Sequence, residues 1–392
     1  MISKQLPLYD LAEWKNGLAF RKIDFSNKGK PVIKIAELKN GITGQTQFTN
    51  GNYGEAVSLT RGDMVFSWSG NPETSIDVFW YDLPDGWLNQ HIFKVTPSEC
   101  VDKKYLYYLL KSLKPTFTAI ASNKQTTGLG HVTIKDLKEL IIDLPTRSTQ
   151  EAISNYLYAL DSKIHLNKQL NDNLEQQAEL LYHERFETVD RSNLPVGWRI
   201  VQLGDVATIS KKSFNPTKEP KMLLEHYSIP AFDEAHFPVF ELSTAIKSNK
   251  FVVDDTCFMI SKLNPTTKRV WKPYCLTANA VCSTEFIVYK AKKQEISDFL
   301  YSVINSTSFS DFMCSHVTGS TGSRQRTTPS DTLAFELILP TTKEIAEYQG
   351  IVSPMFEQIK CNAIENDKLK RLRDSLLPKL MSGELDVSSI QF

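Results

Sequence analysis

Four short stretches hold the side chains best suited to contact with a polar, anionic partner. Trp68-Ser69-Gly70-Asn71 and Ser122-Asn123-Lys124-Gln125-Thr126-Thr127-Gly128-Leu129-Gly130-His131 lie in the first half of the chain. Lys262-Leu263-Asn264-Pro265-Thr266-Thr267-Lys268-Arg269 and Thr318-Gly319-Ser320-Thr321-Gly322-Ser323-Arg324-Gln325-Arg326 lie in the second. Lys and Arg neutralise phosphates, Asn and Gln amides match the edges of bases, and glycine lets the backbone approach closely. The residues that could carry such contacts are Trp68, Asn71, Lys124, Gln125, Thr127 and His131, then Lys262, Asn264, Lys268, Arg269, Ser320, Arg324, Gln325 and Arg326. The same composition also suits solvated loops that hold no ligand.

Catalytic chemistry has no comparable signal. The Asn-Pro pairs continue as Asn71-Pro72-Glu73, Asn215-Pro216-Thr217 and Asn264-Pro265-Thr266, so none forms the Asn/Asp-Pro-Pro-aromatic loop that holds a target amine. No glycine-rich loop suits S-adenosylmethionine or ATP. Pro84-Asp85 has no Glu-x-Lys at useful spacing, and the histidines are scattered. The cysteines Cys100, Cys257, Cys275, Cys282, Cys314 and Cys361 lack Cys-x-x-Cys spacing, and five of the six fall in the second half. A duplicated metal or disulfide framework would have been copied with the rest, so these read as reduced packing thiols. No cofactor and no metal are expected.

The elements that must position the four loops come as a repeat. Leu8-Tyr9-Asp10-Leu11-Ala12 recurs as Leu203-Gly204-Asp205-Val206-Ala207, an offset of 195 (203 − 8 = 195), and Leu144-Pro145-Thr146 recurs at that offset as Leu339-Pro340-Thr341. So long a period implies two tandem domains related by a pseudo-two-fold, not a solenoid. Short alternating runs such as Pro31-Val32-Ile33-Lys34-Ile35 and Met64-Val65-Phe66-Ser67-Trp68 predict strands. Residues 101–113 and 295–304 predict equivalent helices, each leading into one of the Ser/Thr/Gly-rich loops.

After each Leu-Pro-Thr a heptad seam begins. Its positions are Leu157, Leu160, Ile164, Asn167, Asn171, Leu174, Ala178 and Leu181 in the first copy, and Tyr348, Val352, Met355, Ile359, Asn362, Asn366, Leu369, Arg373 and Leu376 in the second. Each helix is expected to open on a capping box, Ser148 to Glu151 and Thr341 to Glu344. Pro354 should kink the second helix or restart it with Ser353 as cap. Antiparallel pairing would set Asn167 opposite Asn366 and Asn171 opposite Asn362, giving each amide a partner. The paired helices would then form a rod of about 42 Å, from roughly 28 residues at about 1.5 Å each.

A chain of 392 residues, 41% hydrophobic and 23% charged, is ordinary for a globular protein with two or three cores. Neither a signal peptide nor a membrane-spanning run is visible, so a cytoplasmic protein is expected. Net charge is zero, but residues 1–145 and 195–340 each carry a slight basic excess that the helical segments offset. Neutrality does not exclude a nucleic-acid partner if other subunits supply phosphate contacts.

The run Leu369-Lys370-Arg371-Leu372-Arg373-Asp374-Ser375-Leu376-Leu377-Pro378-Lys379-Leu380-Met381-Ser382-Gly383-Glu384-Leu385 resembles the C-terminal signature of type I restriction-modification specificity subunits. Leu194-Pro195-Val196-Gly197-Trp198, with Leu203 to Ala207 after it, resembles the opening of their second target-recognition domain, although the first domain lacks the Gly-Trp. The resemblance implies an α+β chain: target-recognition domain 1 over 1–145, a spacer helix over 146–190, domain 2 over 191–340, a second spacer helix over 341–385 and a tail over 386–392. The helices would pair as an antiparallel coiled coil with pseudo-two-fold symmetry. It further implies a non-catalytic subunit that reads a bipartite sequence in double-stranded DNA, docks methyltransferase subunits, two by family analogy, and engages restriction subunits through the complex, with no membrane. A coiled-coil scaffold with two protein-binding domains, or a DNA-reading subunit of another restriction-system type, would share much of this pattern.

Overall fold

The computed structural model describes residues 4–124, 128–219, 221–318 and 325–387. Its contacts divide the chain into two compact units, Met1–Ser162 with Leu369–Phe392, and Lys163–Lys368. Each unit combines one run of strands and short helices with part of both long helices.

The first run comprises β1 (Lys4–Pro7), β2 (Ala12–Asn16), β3 (Lys30–Ile33), α1 (Ile35–Asn40), β4 (Phe48–Thr49), β5 (Ser58–Leu59), β6 (Met64–Ser67), β7 (Ser69–Gly70), β8 (Asp77–Trp80), β9 (Gly86–Leu88), β10 (Ile92–Pro97), α2 (Lys103–Ser112), α3 (Lys114–Asn123), β11 (Gly130–His131), α4 (Ile134–Glu139) and β12 (Ile141–Leu144). One sheet has the order β2-β10-β6-β8, a second β4-β3-β9-β5, and β1 pairs with β12 to join the two ends of the run. All four residues of β6 are buried, as expected of an inner strand covered on both faces. The Asp102 carboxylate accepts from the Tyr105 N–H at 2.8 Å and so starts α2, whose Tyr105, Leu106 and Leu109 reach the core beside Leu8, Phe66 and Phe117.

The long helix α5 (Arg147–Tyr182) leads into β13 (Arg199–Gln202), α6 (Leu203–Val206), β14 (Ala207–Ser210), β15 (Ser213–Phe214), β16 (Leu223–Tyr227), α7 (Ile229–Ala235), β17 (Val239–Leu242), β18 (Lys250–Val252), β19 (Cys257–Ser261), β20 (Val270–Trp271), β21 (Ala280–Ser283), β22 (Phe286–Ala291), α8 (Ser297–Asn305), α9 (Thr307–Ser315), β23 (Val317–Thr318), β24 (Arg326–Thr327) and β25 (Glu336–Leu339), before α10 (Thr342–Met381). The order β14-β22-β19-β20 repeats that of the first main sheet, β13 with β25 repeats the end-joining pair, and the parallel pair β16 and β21 repeats β3 and β9. Leu8 and its repeat partner Leu203 are both fully buried. Ala12 and Ala207, and Leu144 and Leu339, are likewise buried in pairs, whereas the repeated Asp10 and Asp205 are exposed.

The long helices carry the expected seam. Within the second unit, Asn167 Nδ2 donates to Asn366 Oδ1 at 3.0 Å and Asn362 Nδ2 to Asn171 Oδ1 at 2.7 Å, so α5 and α10 run antiparallel there in the register anticipated. Asn167, Asn362 and Asn366 are buried, and pairing spares them the cost of a lone desolvated amide. Ile164, Val352 and the first unit's Leu157 are also buried, while Leu160, Leu174, Leu181, Met355, Ile359, Leu369 and Leu376 are half-buried.

Three local expectations are corrected. The cap of α5 is Thr146, whose Oγ1 accepts from the Thr149 N–H at 3.4 Å; Ser148 falls inside the first turn. At α10 the box is as expected, with Thr341 N donating to Glu344 Oε2 at 3.1 Å and Glu344 N to Thr341 Oγ1 at 3.3 Å. Pro354 neither ends nor restarts α10, which runs on through it. Tyr348, Val352 and Phe356 anchor both flanks in the core, and the Ser353 hydroxyl bonds to Asp298 at 2.5 Å instead of capping. Finally, α2 and α8 do not lead straight into the loops, because α3 and α9 intervene to bury Phe117 and Phe309. Among the described residues, no helix is long and apolar enough to cross a membrane.

Candidate nucleic-acid interface

In each unit the two loops singled out from sequence come together. In the first, β11 pairs with β7, setting His131 opposite Ser69, and Val132 N donates to Trp68 O at 2.8 Å. In the second, Asn264 N donates to Gln325 O at 2.9 Å and Thr327 N to Lys262 O at 3.1 Å. The chain thus builds the same tip twice, from the ends of β6 and β19 and the segments entering β11 and β24. Gln125, Thr127, Ser320 and Arg324 lie outside the described residues.

The chemistry of the two tips differs. Trp68 stacks on Phe93 at 5.6 Å and 27° and donates its indole N–H to Asn16 Oδ1 at 3.1 Å. Asn71 Oδ1 accepts from the Glu73 and Thr74 N–H groups at 3.1 Å, so this side chain shapes its own turn. Lys124 is bound to Asp136 at 2.5 and 2.7 Å. Burial pushes the Asp136 carboxyl up, but bonds from Lys124 and Thr133 outweigh it and hold the group below its ordinary value.

Three basic groups of the second tip are likewise engaged. Arg326 grips Glu285 with two bonds of 3.0 and 3.1 Å, Arg269 grips Asp233 at 2.5 and 2.9 Å, and Lys268 reaches both oxygens of Glu179 at 2.9 Å. These cations can meet a phosphate only by sharing or leaving a carboxylate. Lys262 differs: its ammonium group forms no hydrogen bond or ion pair in the described structure. It lines a cavity of about 260 Å³ with Lys211, Ser210, Phe251, Phe286 and Pro329. Lys211 and its neighbour Lys212 follow β14, are exposed, and are similarly unpaired among the described residues. Sequence reasoning passed over them, although a Lys-Lys pair directly after a strand was a usable signal.

These features define a duplicated sheet domain whose tips offer amide, aromatic and cationic groups, carried on antiparallel helices. Residues 3–176 match the family described as the type I restriction modification DNA specificity domain. The type I restriction enzyme MjaIX specificity subunit of Methanocaldococcus jannaschii is 25% identical, over 92% of this chain and 90% of its own. The HindI specificity subunit of Haemophilus influenzae is 25% identical, over 84% and 87%. The crystal structure of a type I restriction-modification S subunit from M. genitalium superposes with a TM-score of 0.60 at 17% identity, covering 96% of each chain, and shows the same fold. Over most of its length the chain is similar to type I restriction-modification specificity subunits, and residues 3–176 match the DNA specificity domain of that family.

Proposed function

We propose that this chain is the DNA-recognition subunit of a type I restriction-modification complex, with each tip reading one half of a bipartite target. The carrying observation is one tip built twice on one topology with different side chains. Shared architecture supports two equivalent surfaces for duplex DNA, and divergent chemistry would let them prefer different bases. The chain is the specificity component and not the catalytic one; methylation and cleavage belong to its partners. We assign two methyltransferase subunits to the helical segments, restriction subunits to the assembled complex, and the whole to the cytoplasm beside its DNA.

Gel shifts of the chain with its methyltransferase on bipartite duplex libraries test this reading. Enrichment of two defined half-sites at fixed spacing is expected; enrichment of one continuous site, or of none, would sink it. The helices should set the spacing. Inserting one heptad at the Asn-containing centre of both adds about 10 Å at about 1.5 Å per residue and preserves the seam. At about 3.4 Å per base pair the unspecified spacer should lengthen by about three pairs. A functional extended chain that kept the original spacer would remove the helices from that role.

A further inference from the structure

The second unit contains a cavity of about 220 Å³ away from the tip residues. Trp271, Tyr274, Tyr301 and Phe356 line it, each at least nine-tenths buried, together with Glu175 and Asp172 of α5. Tyr301 meets Phe356 edge to face at 4.8 Å. The Glu175 carboxylate forms no hydrogen bond or ion pair in the described structure. Burial first, then the neighbouring Asp172, pushes its pKa up to about 7, with Lys268 opposing and Glu179 adding. The Tyr301 hydroxyl, which feels the Glu175 charge, also has no hydrogen-bond partner among the described residues. The Trp271 indole N–H lies near enough to the Tyr274 oxygen to influence it, yet has no acceptor at proper distance and angle. Four carboxylates line the cavity (Asp172, Glu175, Asp255 and Glu357) against two ammonium groups, of which Lys272 is already bound to Asp298.

The repeat shows what such a place holds when it is complete. The corresponding elements of the first unit enclose a cavity walled by Trp80, Tyr107, Tyr108 and Tyr158. There Arg373 of α10 supplies a cation, 2.5 Å from Asp161, whose other oxygen accepts the Tyr108 hydroxyl at 2.8 Å. At the repeat-equivalent positions the second unit has Ala178 for Arg373 (373 − 195 = 178) and Phe356 for Asp161 (161 + 195 = 356). It keeps aromatic walls, gains a desolvated carboxylate one turn away, and has no cation at the place of the arginine.

We propose that this second cavity binds an organic ammonium group, the end of a free diamine or polyamine or the lysine of a partner subunit, between the aromatic faces and Glu175. Aromatic faces attract a desolvated cation, and the ion pair would give Glu175 the partner it lacks. The volume equals roughly seven waters at about 30 Å³ each, which admits an aminoalkyl chain. Because the cation favours ionised Glu175, its binding at pH 7 releases protons.

The test is calorimetric titration of the full chain with cadaverine at pH 7. Saturable one-to-one binding is expected, with heat that depends on the buffer because protons are released. Glu175→Gln should weaken it at least tenfold and abolish the proton release, with circular dichroism confirming that the variant folds. Glu184→Gln, on an exposed stretch elsewhere, should change nothing, and 1,5-pentanediol should not bind. Repeating the titration on the assembled complex separates the two sources. Binding retained there identifies a free amine; binding lost there, with assembly weakened by Glu175→Gln, identifies a partner's lysine. No saturable binding by the free chain, or binding that Glu175→Gln leaves unchanged, overturns the proposal.

Discussion

The first domain places Asp77 on strand β8, opposite Ser67 of β6, and the second places Lys272 just beyond β20, the strand that takes the place of β8. Asp77 is bound by Lys111 at 2.8 Å and Lys114 at 2.7 Å, whereas Lys272 is bound to Asp298 of α8. Burial pushes the Asp77 carboxyl up, and the two lysines more than offset it, leaving the group below its ordinary value. Each domain ties this edge strand to the helices that follow by an ion pair, with the carboxylate on the strand in one and the cation beside it in the other. In each place the pairing spares a partly buried charge from desolvation without compensation. The tips differ more freely. A tryptophan stacked on Phe93 and a turn-forming asparagine shape one, while an Arg326–Glu285 fork and the unpaired Lys211 and Lys262 shape the other. Apolar letters of the repeat such as Leu8 and Leu203 are buried in both copies while the tips carry different side chains, which is the pattern of two surfaces free to diverge on one scaffold.

The largest effect should follow from exchanging residues 1–145 for the corresponding domain of a related subunit. One half of the modified sequence should change completely and the other not at all, as read by mapping methylated sites. If both halves changed together, the domains would not be independent readers.

Next in size is the asparagine seam, the place where the two copies meet as equals. Asn167→Ala should cost about 1 to 3 kcal/mol in urea unfolding, because buried Asn366 loses its donor. Asn167→Leu with Asn366→Leu should recover most of that stability, since neither polar group is then stranded. A double variant as unstable as the single would mean that packing, not amide pairing, sets the cost.

A smaller effect belongs to the second tip's lysines. Replacing Lys211 and Lys262 by Ala should make the salt dependence of DNA binding by the complex shallower by about two phosphate contacts. Preference for the first half-site should stay as it was. Arg326→Ala should cost at most about 1 kcal/mol of stability, given its half-exposed pair with Glu285. Loss of preference at a single base would make Arg326 a base reader, and a uniform loss a phosphate contact. An unchanged slope for the lysine pair would exclude those lysines from the interface.

Much of this arrangement was legible because duplication prints it twice. The register Asn167 to Asn366 and Asn171 to Asn362 followed from two asparagines at one offset, and the α10 cap from Thr341 and Glu344 three residues apart. That both loops of each domain lie together was not legible, since the pairing of β7 with β11 joins segments far apart in the chain. The partners of the tip cations were not legible. Asp233, Glu285 and Glu179 lie 36, 41 and 89 residues from the groups they hold, and nothing in local spacing announces a fork closed through the fold. The partners of Asp77 and Lys272 were hidden for the same reason, since each comes from a helix that sequence supplies only as periodicity. The first cap shifted to Thr146 because two hydroxyl residues two apart compete for one helix start.

The smallest effect concerns a histidine present in one domain only. His226 of β16 is buried, its Nδ1 bound to Glu241 Oε1 at 2.6 Å and its Nε2 without a partner. Burial lowers its pKa; Glu241 opposes this by hydrogen bond and charge, and Lys250 adds to it. A folded-state pKa below the unfolded value means that the unfolded chain takes up more protons. The histidine's contribution is therefore complete above about pH 6.5 and is lost as pH falls below it. The repeat equivalent is Pro31 (226 − 195 = 31), which cannot titrate. Acidification from pH 7.5 to 5.5 should therefore speed hydrogen exchange in β16 and β17 relative to β3 and β4, after correction for intrinsic rates, and His226→Gln should abolish the difference. Equal loss of protection in both domains would assign the acid response to the shared scaffold and leave His226 as packing alone.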